Sequence, residues 1–114
     1  MKSVRRYEIY YADLNPVTGT LIKGSEIKKT RPVVVVSRNE MNKYLNTVVV
    51  CPLTLQLHPK WRSRIQVVCN KSPAEIAVDQ IRTISKDRLK RKIDTLSHED
   101  ARKLRLLITE MYGE

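Results

Sequence analysis

The stretch KKTRPVVVVS, Lys28 to Ser37, sets two lysines, a threonine, an arginine and a proline directly before four consecutive valines. A half-exposed strand alternates apolar with polar residues, so an unbroken valine run reads as a strand covered on both faces or lining a barrel interior. Arg31 keeps its charge at any ordinary pH and cannot follow the valines inward. Pro32 has no N–H and pushes the residue before it out of the helical region. Arg31 is therefore expected to be extended, where a loop becomes a buried strand, with its guanidinium at the rim of the core.

Working outward, β-branched content, alternation and flanking breakers predict further strands at Tyr7 to Asp13, Thr47 to Cys51, Arg64 to Val68 and Glu75 to Asp79. The valine strand itself is expected over Pro32 to Ser37, and a continuation over Ile81 to Ile84. Short strands at this spacing predict a mainly β fold built as a small barrel. Helices are fewer. Asn39 to Leu45 reads as a short one. In SHEDARKLRLLITEMYG, Ser97 is the N-cap, with Asp100 three residues on. Ala101, Leu104, Leu107, Ile108 and Met111 form one apolar stripe, and Gly113 marks the stop. That stripe is expected to pack against the barrel or against a second copy of the chain.

Two segments resist assignment to the scaffold. The connection VTGTLIKGSEIKK, Val17 to Lys29, holds two of the three glycines, and loops of that length carry function or motion. The cluster KDRLKRK, Lys86 to Lys92, reads either as a solvated helix face or as a run that tracks phosphates.

The 114 residues amount to a single domain, residues 1–114, with one ordinary core. Its formal charge of +10 exceeds the ~2 to 8 of ordinary small-domain surfaces and favours a polyanionic partner, nucleic acid first. No run of 18 apolar residues and no signal-peptide core appears, so no membrane association and a cytoplasmic location are expected. Cys51 and Cys69 end apolar runs, where cysteine is usually a small buried hydrophobe. Neither a disulfide staple nor a zinc site fits two cysteines without ligands at metal spacing.

Polar groups emerge where the buried runs end: Arg31 before the valines, Thr54 after VVVCPL, and Asp79, Gln80 and Arg82 in VDQIRT. A rigid scaffold builds a site in this way. These residues carry a resemblance. YADLNP (Tyr11 to Pro16), GSEIKKTRPVVVVS (Gly24 to Ser37), VVVCPLT (Val48 to Thr54) and VDQIRTI (Val78 to Ile84) stand in the order and approximate spacing of the MazF/PemK toxin endoribonucleases. The likeness runs from about Arg5 to the C-terminal helix.

The resemblance implies a small SH3-like or CcdB-like β-barrel with a C-terminal α-helix and one or two short helices. It also implies a homodimer that cuts single-stranded RNA and is restrained by a cognate antitoxin protein. Arg31 and Thr54 fall on the family's cleavage residues, and Asp79 is taken with them. Ser25 and Glu26 fall on loop positions that touch RNA, and Lys29, Gln80 and Arg82 are taken as RNA-binding. Two departures stand out. The first loop is longer by about five residues, Val17 to Lys23 being the extended part, and Ala77 stands where some members place an arginine proposed as catalytic acid. The alternative is a non-enzymatic module on the same fold, an RNA binder or a CcdB-like topoisomerase inhibitor.

The chemistry asks little of a protein. RNA supplies its own nucleophile, the 2′-hydroxyl, so cleavage needs in-line orientation, proton transfer and stabilisation of charge on the phosphorane, with no metal or cofactor. Arg31 offers a planar fork of donors to phosphate oxygens, and Thr54 a hydroxyl, which is a poor base. The proton acceptor is unassigned from sequence: Asp79 and Glu26 are the nearest candidates by motif, and a conventional histidine pair is not evident. His58 reads as a loop residue fixed by Pro59, and His98 as an exposed residue of the last helix. Tyr10, Tyr11 and Trp61 are candidates for stacking on unpaired bases, with at most one of the adjacent tyrosines facing RNA.

Overall fold

The computed structural model describes residues 3–14 and 30–113. Seven strands, β1 (Glu8–Asp13), β2 (Thr30–Val35), β3 (Thr47–Thr54), β4 (Arg64–Cys69), β5 (Ser72–Ala77), β6 (Arg82–Ser85) and β7 (Leu89–Thr95), form one antiparallel sheet. Its order is β4-β5-β3-β2-β1-β7, and β6 pairs with the first half of β3 while β5 pairs with its end. Among the described residues no pairing joins β4 to β7, so the sheet curls into a half-barrel. The Asn70 N–H, in the β4–β5 turn, donates to Asp94 Oδ2 of β7 at 2.8 Å and ties the two ends. Two helices complete the chain, α1 (Asn39–Tyr44) and α2 (His98–Tyr112).

The valine run is explained by two cores, one on each face of the sheet. Val34 and Val36 pack with Ile9, Cys51, Leu53, Ile76 and the α2 residues Ala101 and Leu104. Val33 and Val35 pack on the opposite face with Tyr10, Ala12, Val48, Val50, Ile84 and Leu89. Both parities are buried, so no position in β2 can be polar until the strand leaves the sheet's shelter at exposed Thr30 and Arg31.

Both prolines sit where the ladder does not need their missing N–H. Val36 N–H donates to Val49 O, and by strict alternation Pro52 then faces away from β2. On that side β6 pairs only Thr47 to Val50 and β5 only Leu53 and Thr54, so Pro52 lies in the gap between them. This is why β3 runs on to Thr54, three residues past the predicted end at Cys51. Pro32 faces β3 just beyond the last paired residue, Val33.

Two expectations are corrected, and a third is decided between its two alternatives. The Lys86–Lys92 cluster is not a helix face: Lys86–Arg88 is one 3₁₀ turn and the rest opens β7, which pairs with β1. Leu89, fully buried, is its anchor; Lys90, Arg91 and Lys92 are exposed, while half-buried Arg88 donates to the Asp13 carbonyl. The strand predicted at Glu75 to Asp79 starts earlier, at Ser72, and ends at Ala77, because Val78–Gln80 winds into a 3₁₀ turn. The α2 stripe packs within the chain: Ala101 and Leu104 are buried and Leu107, Ile108 and Met111 lie against the same core. The Ser97 hydroxyl accepts the Asp100 N–H at 3.1 Å, the cap expected from sequence. Cys51 and Cys69 are free and buried, and burial pushes the Cys51 thiol up to about 12.

The β4–β5 hairpin turns on two residues, Asn70 (φ 52°) and Lys71 (φ 70°). Both occupy the left-handed region, which costs a side chain such as lysine about 1 kcal/mol and glycine nothing. Lys71→Gly is therefore expected to stabilise the fold by roughly 0.5–1 kcal/mol, read as a rise of a few degrees in melting temperature. An unchanged or lower melting temperature would contradict a strained turn.

Candidate active site

Arg31 and Thr54 belong to neighbouring strands. The β2–β3 pairing ends at Val33 with Pro52, and the two strands carry Arg31 and Thr54 beyond that point to the same cavities. Thr54 in turn pairs with Glu75 of β5, and Glu75 with Gln66 of β4. One polar row, Thr54, Glu75 and Gln66, thus crosses three strands, β3, β5 and β4. Arg31 and Thr54 together line two cavities. One, of about 490 Å³, is completed chiefly by His58, Arg64, Gln80 and Arg82. The other, of about 570 Å³, is mostly apolar and includes Tyr11, Pro32 and Leu55.

The Thr54 Oγ1 accepts the Gln56 N–H at 3.1 Å, which leaves its hydroxyl hydrogen available to donate into the cavity. Arg31 is exposed and borders both cavities. Arg64 is held instead. Its Nη1 meets Glu75 Oε2 at 2.6 Å and its Nε meets Asp79 Oδ1 at 2.8 Å, with the guanidinium 6% exposed and the Glu75 carboxylate fully buried. Glu75 Oε1 also accepts from Gln66 Nε2 at 2.8 Å and from the His58 backbone N–H. Burial alone would raise the Glu75 carboxyl, but the bonds from Gln66, His58 and Arg64 hold it below the usual range. Asp79 is treated the same way: burial raises it, and Arg64 and Ser63 bring it below its ordinary value.

Above Glu75 runs the β3–β4 loop. The His58 and Trp61 rings stack with centroids 3.9 Å apart and planes 10° apart, and the Arg64 guanidinium lies 4.6 Å from the Trp61 ring centre. Of the adjacent tyrosines, Tyr10 is buried with its hydroxyl on Glu8, and Tyr11 lines the larger cavity beneath Arg91.

The whole-chain pattern matches a family model described as PemK-like, MazF-like toxins of type II toxin–antitoxin systems, over residues 5–112. The chain belongs to this family. It is 36% identical over 99 residues to the Endoribonuclease MazF of Staphylococcus saprophyticus, covering 82% of this chain and 78% of that protein. Among solved structures it resembles an endoribonuclease in complex with its cognate antitoxin from a Mycobacterial species, with TM-score 0.76 at 20% identity. That match covers 96% of this chain and 95% of the other. MazF from Deinococcus radiodurans superposes over the full length of both chains with TM-score 0.78 at 14% identity. At such identities these two likenesses concern the half-barrel with its C-terminal helix.

In this toxin-family chain the predicted residues fall into three groups. Arg31, Thr54, Gln80 and Arg82 line one cavity. Asp79 does not line it; its carboxylate is engaged by Arg64, which does. Ser25, Glu26 and Lys29, with the extended loop Val17 to Lys23, lie outside the described residues. Two site residues escaped the sequence reading, Arg64 and Glu75, and His58, read there as a loop residue fixed by Pro59, lines the cavity. Arg64 stands directly opposite Ala77 on β4, so a guanidinium reaches this end of the cavity from the neighbouring strand. The available signal was Glu75 itself, a lone acid in the otherwise apolar run AEIAV.

Proposed function

We propose that this endoribonuclease of the toxin family cleaves single-stranded RNA at a short sequence by 2′-hydroxyl attack, leaving a 2′,3′-cyclic phosphate, without a metal ion. The observation that carries the reading is that Arg31 and Thr54, from the adjacent strands β2 and β3, line one cavity together with the cationic Arg82. The scissile phosphate lies against the Arg31 fork, whose donors meet two oxygens and stabilise the added charge of the phosphorane. Thr54 donates its free hydrogen to the same phosphate or fixes the attacking hydroxyl. Gln80 and Arg82 bind the flanking nucleotides together with Ser25, Glu26 and Lys29. Asp79 acts on the site through Arg64, which it orients, and its depressed carboxyl makes it a weak proton acceptor.

Tyr11, beside Arg31 in the apolar cavity, is the group best placed to stack an unpaired base. The partners in this reading are a cognate antitoxin, as in the Mycobacterial complex, and a second copy of the chain. The location is the cytoplasm, and among the described residues no helix is long and apolar enough to cross a membrane.

The test is incubation of purified protein with single-stranded RNA of mixed sequence, with and without EDTA, followed by mapping of the ends. Cyclic phosphate and 5′-hydroxyl ends at recurring sites, produced at the same rate in chelator, are expected. RNA that stays intact while remaining bound would replace this reading with a non-catalytic one.

A further inference from the structure

We propose that His58 is a catalytic residue of this site, the group that accepts the proton of the attacking 2′-hydroxyl. The inference rests on the nuclease reading above and adds the proton acceptor for which sequence motifs offered only Asp79 and Glu26 as candidates.

Three observations support it. The first is place: His58 lines the same cavity as Arg31, Thr54 and Gln80. The second is fixation. The His58 backbone N–H is held by the buried Glu75 carboxylate, its carbonyl accepts the Trp61 N–H at 3.0 Å, and its ring lies flat on the Trp61 indole. Trp61 is itself packed under Arg64, so a surface loop presents a ring whose position is set by a buried ion pair. Among the described residues no partner engages either ring nitrogen, so the face of the imidazole is used for packing and its edge remains for chemistry.

The third is inventory. Among the described residues the cavity is rich in donors and poor in acceptors of a proton. Arg31, Arg64 and Arg82 are donors only, a hydroxyl such as Thr54 and amides such as Gln56 and Gln80 are not bases near neutrality, and the remaining lining is apolar. The nearby carboxylates, Glu75 and Asp79, are both tied to Arg64 and depressed, and Glu75 is sealed from solvent. Imidazole is the side chain that ordinarily exchanges protons between pH 5 and 8. Among the described residues, the charged groups that share the cavity with His58 are Arg31 from β2, Arg64 from β4 and Arg82 from β6. Glu75 of β5 holds its backbone N–H, Asp79 of the 3₁₀ turn sits on Arg64, and Lys60 and Arg62 neighbour it in sequence, with Arg62 reaching Glu110 of α2.

The step balances simply. The 2′-oxygen forms a bond to phosphorus as its proton passes to the imidazole. The bond from phosphorus to the 5′-oxygen breaks, that oxygen takes a proton from water, and the imidazolium returns its proton to solvent.

The test is single-turnover RNA cleavage by the wild type, His58→Gln and His58→Ala between pH 5 and 8.5, with melting curves for all three. Wild-type rate is expected to climb with pH through the histidine range and level off. His58→Gln is expected to lose on the order of 10²- to 10³-fold at pH 8 and to lose that climb, while melting like the wild type. Added imidazole is expected to restore part of the His58→Ala rate. A variant that keeps its rate within about threefold of wild type overturns the proposal. So does a uniform loss at every pH with the climb intact and no imidazole rescue, which would make His58 a stacking platform. A wild type that leaves RNA whole would instead remove the nuclease reading itself, and this inference with it.

Discussion

Arg31→Ala is expected to lower RNA cleavage by on the order of 10³-fold, with melting temperature essentially unchanged. The two halves of that expectation have separate causes. Arg31 is exposed at the end of β2, and substitutions at exposed sites usually move stability by less than about 0.5 kcal/mol. The first buried residue of the strand is Val33, two positions on, so the core does not register the loss. In the reaction, by contrast, the guanidinium meets charge that appears only as the phosphorane forms, and a donor that acts there contributes wholly to rate. Arg31→Lys separates charge from geometry: a lysine keeps the cation but not the planar fork, so an intermediate loss of about 10- to 100-fold is expected. Single-turnover rates at saturating protein, beside circular dichroism melts, are the measurement. Full activity in Arg31→Ala would place the scissile phosphate elsewhere.

How far the sequence leads toward this site depends on what each residue's identity encodes. The valine run and its RP boundary announce a doubly covered strand and a cation at its rim, because burial on both faces permits nothing but apolar side chains. The α2 stripe and Ser97 cap are legible for a similar reason, being local periodicities. β7 is not. Its run LKRKIDT holds two apolar residues among cations and an acid, and only pairing with β1 makes it a strand. Arg64 was likewise illegible as a site residue, since its partners Glu75 and Asp79 stand 11 and 15 positions away and meet it only through the β4–β5 register and the 3₁₀ turn that follows. Pairings between strands are carried by register, and register is a property of the whole sheet.

Glu75→Gln is the change expected to cost the fold most. The carboxylate is fully buried and receives three hydrogen bonds, from Arg64, Gln66 and the His58 amide. A neutral amide leaves the Arg64 guanidinium, itself nearly buried, with Asp79 alone, and sets an NH₂ against one of the donors it replaces. Breaking one side of a buried pair in this way costs about 3 kcal/mol or more, which for a chain of this size lowers melting by roughly 10–15 °C at pH 7. The pH dependence follows from the direction of the shift. Glu75 titrates below its ordinary value in the folded chain, so the unfolded chain binds its proton first as pH falls. The stabilisation is present above the unfolded value of about 4.3 and is lost as pH drops through the folded one. Wild type and Glu75→Gln should therefore differ most at neutral pH and converge as pH falls below the unfolded carboxyl value. Because Glu75 also anchors the His58 amide, the variant should cut RNA more slowly even well below its melting temperature. A gap between the two melting curves that stays constant with pH, or one under about 3 °C, would mean that the Arg64–Glu75 pair does not hold this end of the half-barrel together.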